Sequence, residues 1–439
     1  MNSRKIMVKI LDKVLIEGAY SNIELSKQLN KYDLNDKDKA LITEVVYGTI
    51  KQKKVIDSII SDFVNDIKDV NDSVINILRS AIYQLKYLTR VPEFAVLNES
   101  VNVAKEVDEP QANFINAVLR NYTRNKNKNF DKSLGTKGKL AYKYSFDDWM
   151  VGLFLKQYGI EKVEAILKGL NEVPEVTVRV NDLKGDYDEV FEALQEAGYE
   201  VEEGYVCPEA IKIKRGRNIE DNPLFKEGKI TVQDESAMLV APMLELDEDM
   251  TVLDLCSAPG GKATHASEIM NNTGEVVASD IYEHKLELIK ENCERLGITN
   301  IKTEIIDATK LDDRFVDYAD GIILDVPCSG LGIIRKKPEI KWNKKREDLN
   351  NLVPTQRDIM ENSWKYLKEG GIMIYSTCTL NKEENENNVD WFLSKHSDAR
   401  VEPVFVGNLS NMMYNENKTL TVLPNAQMDG FFIAKIVKL

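Results

Sequence analysis

From Thr251 onward, short apolar runs alternate with longer segments of helical spacing, and few folds satisfy that alternation. The runs are Thr251–Leu255, Glu275–Ala278, Ile301–Ile305, Gly321–Leu324, Ile372–Tyr375 and Phe431–Val437. Helices are expected near Lys262–Met270, Glu283–Arg295, Pro354–Leu367 and Glu384–Leu393. Strands alternating with helices pair in parallel, with the helices covering the sheet. Ligands of such sheets bind in the crevice beyond the carboxyl ends of the strands. Residues 236–439 are therefore expected to form an α/β domain with its chemistry at those ends.

The chain before this is of another kind. Residues 4 to about 124 read as all-helical, with apolar residues at helical spacing in Ile6, Ile10, Leu11 and Val14, in Leu41, Ile42, Val45 and Val46, and in Phe114, Ile115, Val118 and Leu119. Asn35-Asp36 and Asn71-Asp72 supply caps and Pro92 a helix start, giving a bundle of six or seven helices over 1–125. Residues 126–140, rich in Asn, Lys and Gly, read as a linker. Residues 141–235 read as a small α/β module: helices first, then strands at Val176–Val180, Ile211–Ile213 and Ile230–Val232 around a helix from Tyr187 to Ala197.

A length of 439 residues suits two or three domains, and 43% hydrophobic with 30% charged residues describes an ordinary globular protein. No apolar run reaches 18 residues, so no membrane span is expected, and acidic Asp12 and Glu17 argue against a signal peptide. Five cysteines without CxxC spacing and only three histidines point to neither a disulfide framework nor a metal site, and fit a reducing cytoplasm. The net charge of −14 argues weakly against a nucleic-acid partner, but binding depends on local basic surface. Two segments supply one: Arg120 to Lys139, and Arg335 to Arg346, each with seven Lys or Arg against one acid. The second directly follows Cys328 and places Trp342 among its cations, a combination suited to phosphate contact with base stacking.

Two cysteines leave the ends of expected strands: Cys328 in Leu324-Asp325-Val326-Pro327-Cys328 and Cys378 in Tyr375-Ser376-Thr377-Cys378. A free cysteine usually serves as a small buried hydrophobe. Here two of them, with Asp325 three residues before one, look like a nucleophile, a second thiol and an acid/base around one substrate. The turn Cys256-Ser257-Ala258-Pro259-Gly260-Gly261-Lys262 leads from strand to helix, where a ligand can approach the backbone. A Walker loop would need glycine at position 256, and GxGxxG is absent, so neither ATP by that route nor NAD fits. S-adenosyl-L-methionine remains. Asp280 is placed to accept ribose hydroxyls, Asp307 to hold the adenine amino group and Asp325 to lie beside the transferred methyl.

The strings DLCSAPGGKATH, LDVPCSGLG, YSTCTL and DGFF resemble the RNA cytosine-5 methyltransferases of the Sun/NOL/NOP class. The helical front end resembles the RNA-binding antitermination factor NusB. Together, at this length, they resemble the bacterial Sun-type (RsmB) methyltransferase family of small-subunit ribosomal RNA. RVNDL (179–183), VQDESA (232–237) and IRKKPEIKW (334–342) also match. Ser257 stands where the family usually has Ala, Phe146-Asp147 where it commonly has His-Pro, and Lys285 where an arginine is common. The resemblance implies a NusB-like helical RNA-binding domain, a small α/β module and a Rossmann-like class I methyltransferase domain. It implies that Cys378 is the nucleophile, that Cys328 serves release, and that residues 256–262 with Asp280, Asp307 and Asp325 hold the donor.

Such chemistry has a clear physical need. Carbon 5 of cytosine is too weak a nucleophile to take a methyl group directly, and a thiolate on carbon 6 makes it enamine-like. The expected product is 5-methylcytosine in 16S ribosomal RNA, the target base entering unpaired. Arg335, Lys336, Lys337, Lys341 and Trp342 are expected to hold RNA. Cys256 is expected as a loop spacer, Cys293 as a core residue, and Cys207 without a role. A monomer is expected. The alternatives are a methyltransferase of transfer RNA or DNA, a non-catalytic RNA-binding assembly factor, and a dehydrogenase, which the missing glycine signature disfavours.

Overall fold

Every apolar run from Thr251 onward forms a strand of one sheet. The computed structural model describes residues 2–107 and 109–439. It divides into two units: residues up to Asn171 together with Lys336–Arg346, and Glu172–Arg335 together with Glu347–Leu439.

The first unit is helical. Seven helices lie between Ser3 and Arg124 among the described residues, starting at Ser3, Ser21, Asp36, Lys53, Asp72, Glu93 and Glu109. Asn35 and Asn71 cap two of them, their side-chain oxygens accepting from the amides of Asp38 and Ser73, so orphan donors at those helix starts are satisfied. Ile6, Ile10, Leu11, Ile42, Val45, Ile77, Leu78, Ile82, Ile115 and Leu119 are buried together in one core. Two further helices, Gly135–Tyr144 and Asp148–Gly169, belong to this unit. Both were expected elsewhere, as linker and as the start of the small module. The polar composition around Gly135 masks a turn that buries Leu140 and Ala141. Gly159, with φ of 74°, breaks the longer helix into the two segments its sequence suggests.

In the second unit, β1 (Val176–Val180), β2 (Glu200–Glu203), β3 (Ala210–Arg215) and β4 (Ile230–Val232) form an antiparallel sheet of order β2-β3-β1-β4. Its apolar face, including Val178, Val180, Ile211 and Ile230, packs on Val190 and Leu194 of the helix Tyr187–Glu196.

The large sheet contains β5 (Thr251–Asp254), β6 (Glu275–Asp280), β7 (Ile301–Ile305), β8 (Ala319–Asp325) and β9 (Leu367–Thr377), all parallel. It continues through β10 (Ala399–Glu402), β11 (Met412–Tyr414), β12 (Leu420–Val422) and β13 (Phe431–Lys438), with β13 antiparallel to β9. The order is β11-β12-β13-β9-β8-β5-β6-β7, with β10 on β13. The chain runs outward from β5 through β7, then returns to place β8 on the other side of β5. The strand order therefore reverses between β5 and β8, and the carboxyl ends of such a pair open a crevice. The sheet is mixed where a parallel one was expected, and β10 to β12 were not anticipated. They run three or four residues each, too short for periodicity to show.

Candidate active site

Parallel pairing brings the two cysteines together. Asp325 on β8 is in register with Ser376 on β9, so both chains leave the sheet at one level. Cys328 and Cys378 follow within three residues, and their Sγ atoms stand 3.2 Å apart. The loop after Cys328 folds back over Cys378, the amide of Gly332 donating to the Cys378 carbonyl at 2.9 Å. This close approach needs a glycine: a Cβ at Gly332 would stand 2.0 Å from the Gly430 carbonyl oxygen and 2.8 Å from that of Cys378. The DGFF string thus contributes backbone that supports the cysteine loops.

Asp325 faces the same end. Its Oδ1 accepts from the Ser376 hydroxyl at 3.0 Å and its Oδ2 from the Lys262 ammonium at 2.6 Å. Burial opposes the charge on Lys262, but Asp325 and Asp254 outweigh it and hold the proton more firmly than usual. The Cys328 thiol is pushed well above its ordinary range, first by its bond to Cys378, then by burial and by the charges of Cys378, Glu384 and Asp325.

The glycine turn lies at the end of β5. Gly260, with φ of 98°, caps the helix Gly261–Ile269 in a conformation open chiefly to glycine. Ser257 is tied to the next strand by its amide, which donates to the Ser279 carbonyl at 2.8 Å. Cys256 is half-buried and its thiol is pushed up by burial, as befits a spacer. Asp280 ends β6 and accepts from the Tyr282 amide at 3.1 Å and from Lys285 at 3.2 Å. Asp307 follows β7, its pKa held down by the Thr309 hydroxyl at 2.6 Å and by Lys310 at 2.9 Å. Asp254, at the end of β5, is buried, and neither its carboxylate oxygens nor the Ser257 hydroxyl makes a well-formed hydrogen bond, although Ser257 and the Cys256 amide lie close enough to favour its charged form. Burial pushes Asp254 up to about 7. Buried acceptors without well-formed bonds at a glycine turn, with two carboxylates at the neighbouring strand ends, fit a ligand bearing amino and hydroxyl groups. A separate cavity of about 660 Å³, lined by Asp182, Glu209, His265 and Glu268, includes none of these residues.

Residues 241–437 match the family model for 16S rRNA methyltransferase RsmB/F, residues 1–124 that of the NusB family, and residues 146–220 the ferredoxin-like domain of the Methyltr_RsmF/B-like proteins. The chain is 36% identical to the probable ribosomal RNA small subunit methyltransferase B of Bacillus subtilis (strain 168), over 99% of this chain and 98% of that protein. This chain belongs to the RsmB/F family of 16S rRNA methyltransferases. Among solved structures, PH0851 covers 100% of this chain and 99% of its own, with a TM-score of 0.86 and 26% identity. NSun6 from Pyrococcus horikoshii with SFG covers 65% of this chain and 97% of its own, with a TM-score of 0.59 and 25% identity. The RsmB/F family is one of methyltransferases.

Within this RsmB/F chain the basic run after Cys328 needs correction. Arg335 is buried, paired with Asp429 and Asp234 and donating to the carbonyls of Asn425 and Ala426. Lys341 is buried in the helical unit, donating to the Ser145 carbonyl at 3.0 Å, the Asn171 side-chain oxygen at 2.6 Å and the Lys51 carbonyl at 3.2 Å. Its ammonium also lies 3.9 Å from the centre of the Phe146 ring. Trp342 donates through Nε1 to the Ile50 carbonyl at 2.7 Å and packs on the helical core. These three side chains are spent on folding and are not on offer to RNA. Lys336 and Lys337 remain half-buried, Lys337 lying 5.0 Å over the ring of Tyr20. Lys262, expected on the donor, bonds Asp325, which the same expectation names. Sequence reasoning also missed Ser329 and Glu384, whose signal is only that polar side chains follow each cysteine motif, and Gln356, which lies in the helix Arg346–Tyr366 with no local signal.

Proposed function

We propose that this protein methylates carbon 5 of a cytosine in 16S ribosomal RNA through a covalent adduct on Cys378. The observation that carries the reading is the 3.2 Å separation of the two sulfurs beside Asp325. The ribosomal substrate is supported by the full-length likeness to ribosomal RNA small subunit methyltransferase B.

S-adenosyl-L-methionine, when bound, supplies an electrophilic methyl group. Its holders would be the turn 256–261, with Asp280 for the ribose hydroxyls, Asp307 for the adenine and the oxygens of Asp254 and Ser257 for the remaining polar groups. Cys378 as thiolate adds to carbon 6 of the base, which gathers electron density at carbon 5. Asp325, steadied by Ser376 and Lys262, contacts nitrogen 3 and the amino group and shares a proton with them. After transfer, Cys328 first gives up its thiol proton to solvent and then, as thiolate, removes the proton from carbon 5, while the bond from Cys378 to carbon 6 breaks and returns Cys378 as thiolate. The influences on Cys328 suit this order. A Cys378 bound as thioether is uncharged, so the main cause holding Cys328 protonated is gone when a base is needed.

The test is a denaturing gel of the Cys328→Ala protein after incubation with deproteinised small-subunit ribosomal RNA and S-adenosyl-L-methionine. A slow-migrating, nuclease-sensitive adduct is expected, absent from the Cys328→Ala/Cys378→Ala double variant. No adduct, with the unaltered protein still methylating that RNA, overturns the two-thiol assignment. No methylation at all overturns the choice of substrate.

A further inference from the structure

Glu384 is buried, yet it lies between the two cysteine loops and carries a carboxylate. Its Oε1 accepts from the Ser329 hydroxyl at 2.5 Å and the Asn381 side-chain nitrogen at 3.0 Å. Its Oε2 accepts from the Ser329 backbone amide at 2.9 Å and the Gln356 side chain at 3.0 Å. All four donors are neutral. The same Gln356 nitrogen donates to the Pro327 carbonyl at 2.9 Å, so the residues on both sides of Cys328 are tied to this one group. The Ser329 hydroxyl also meets the Thr379 hydroxyl at 2.7 Å, joining the residue after Cys328 to the residue after Cys378. Asn381 closes the circuit, its amide donating to the Thr379 hydroxyl at 3.2 Å.

A buried carboxylate is costly to keep, and neutral donors repay only part of that cost. A neutral side chain could fill the space, so holding a charge here needs a reason beyond packing. We infer that Glu384 is a positioning residue for the methylation reaction: its carboxylate clamps the Cys328 and Cys378 loops and sets the spacing of the two thiols. The inference rests on the two-thiol reading above. It deepens that reading by naming the group that holds both sulfurs in one geometry. The charge has a second effect, because Glu384 is among the groups that keep Cys328 protonated, after Cys378 and burial and alongside Asp325. Tyr375 faces the same thiol, and Lys262 faces Cys378 and Asp325.

The decisive variant is Glu384→Gln in the full chain, which keeps the shape and removes the charge. With deproteinised ribosomal RNA and S-adenosyl-L-methionine, turnover should fall roughly 10- to 100-fold, the scale of loss for a misplaced reacting group. Donor affinity should stay near that of the unaltered protein, with only a modest fall in melting temperature from the amide nitrogen that now meets donors. The pH–rate profile should move to lower pH, because removing a nearby negative charge eases ionisation of Cys328. A purely structural residue would not move that profile. Unchanged turnover and profile overturn the inference, and so does a loss of turnover that only tracks lost melting and donor binding. Should Glu384→Gln fail to fold, Ser329→Ala decides, since it leaves the bonds to Gln356 and Asn381 in place. Reduced turnover with intact donor binding then supports the clamp, and unaltered turnover overturns it. Failure of the underlying reading shows separately, as absence of a Cys378-dependent adduct in the Cys328→Ala protein that retains Glu384.

Discussion

The ammonium of Lys262 stands 2.6 Å from Oδ2 of Asp325, linking the start of the helix after β5 to the end of β8. The pair spans the point where the strand order reverses, so the glycine turn after β5 and the end of β8 share one contact. Lys262→Met would leave Asp325 with Ser376 as its remaining partner at this end. Charge-assisted bonds of this kind contribute on the order of 1.5–3 kcal/mol, so turnover should fall roughly 10- to 100-fold. Steady-state kinetics should place most of the loss in kcat, because the Lys262 ammonium bonds the Asp325 carboxylate. A variant that loses only donor affinity would return Lys262 to the role its motif suggested.

Gly332→Ala should be worse than its size implies. The new methyl would meet backbone carbonyls of Gly430 and Cys378, which have no rotamer by which to retreat. Overpacking of this sort costs about 1–3 kcal/mol, and here the strain falls on the loop that covers Cys378. A melting temperature several degrees lower is expected, together with loss of the covalent adduct. Wild-type adduct yield in a folded Gly332→Ala protein would show that the loop does not govern Cys378.

Asp254 should make stability depend on pH in an unusual direction. Its folded-state pKa is raised from an ordinary 3.8 to about 7 by burial. The folded chain therefore holds a proton that the unfolded chain has released. The contribution is present in full below pH 3.8 and is lost as pH rises towards about 7. The gradient is at most about 1.4 kcal/mol per pH unit across that window. Asp254→Asn should flatten this part of the stability profile, and its melting temperature should exceed that of the unaltered protein at pH 8. Parallel melting curves for the two proteins from pH 5 to pH 8 would show that Asp254 titrates normally.

Much of this architecture is legible in the residues alone, for physical reasons. Strands β5, β6, β8 and β13 and the end of β9 are largely buried, so they read as apolar runs, whereas β7 at the sheet edge is half-exposed and reads as Ile301 and Ile305 flanking polar residues; the parallel register of β8 on β9 then brings Cys328 to Cys378. The helical unit is legible because each helix carries its own buried stripe, such as Ile6, Ile10, Leu11 and Val14, or Ile42, Val45 and Val46. What escaped depends on partners distant in sequence. Lys341 and Trp342 look like a nucleic-acid surface in a run of seven cations, and nothing local reveals that carbonyls of Ser145 and Ile50 wait for them. Glu384 escaped likewise: its role exists only because Ser329, Gln356 and Asn381 converge on it. A cationic or acidic residue declares its charge in the sequence but not its partner.

The basic run now divides into two kinds of lysine, and substitution should separate them. Lys336 and Lys337 are half-buried, and replacing both with alanine should cost no more than about 1 kcal/mol of stability, the scale of a half-exposed lysine contact. The same change should weaken binding of small-subunit ribosomal RNA. Because each phosphate neutralised by a lysine releases condensed counterions, the slope of log affinity against log salt should fall by about 1 for each phosphate left without its lysine. Lys341→Met should do the reverse. It strips the donor from the Ser145 and Lys51 carbonyls and the Asn171 side chain, with no carboxylate among these partners to be stranded. Leaving a buried acceptor unpaired costs about 1–3 kcal/mol, so a marked fall in melting temperature is expected with the salt slope intact. Filter binding of the folded proteins from 50 to about 200 mM salt reads the slope, a range over which phosphate binding changes strongly. A Lys341→Met protein that melts normally but loses its salt dependence would restore Lys341 to the RNA surface. An unaltered slope in the Lys336→Ala/Lys337→Ala protein would remove both from it.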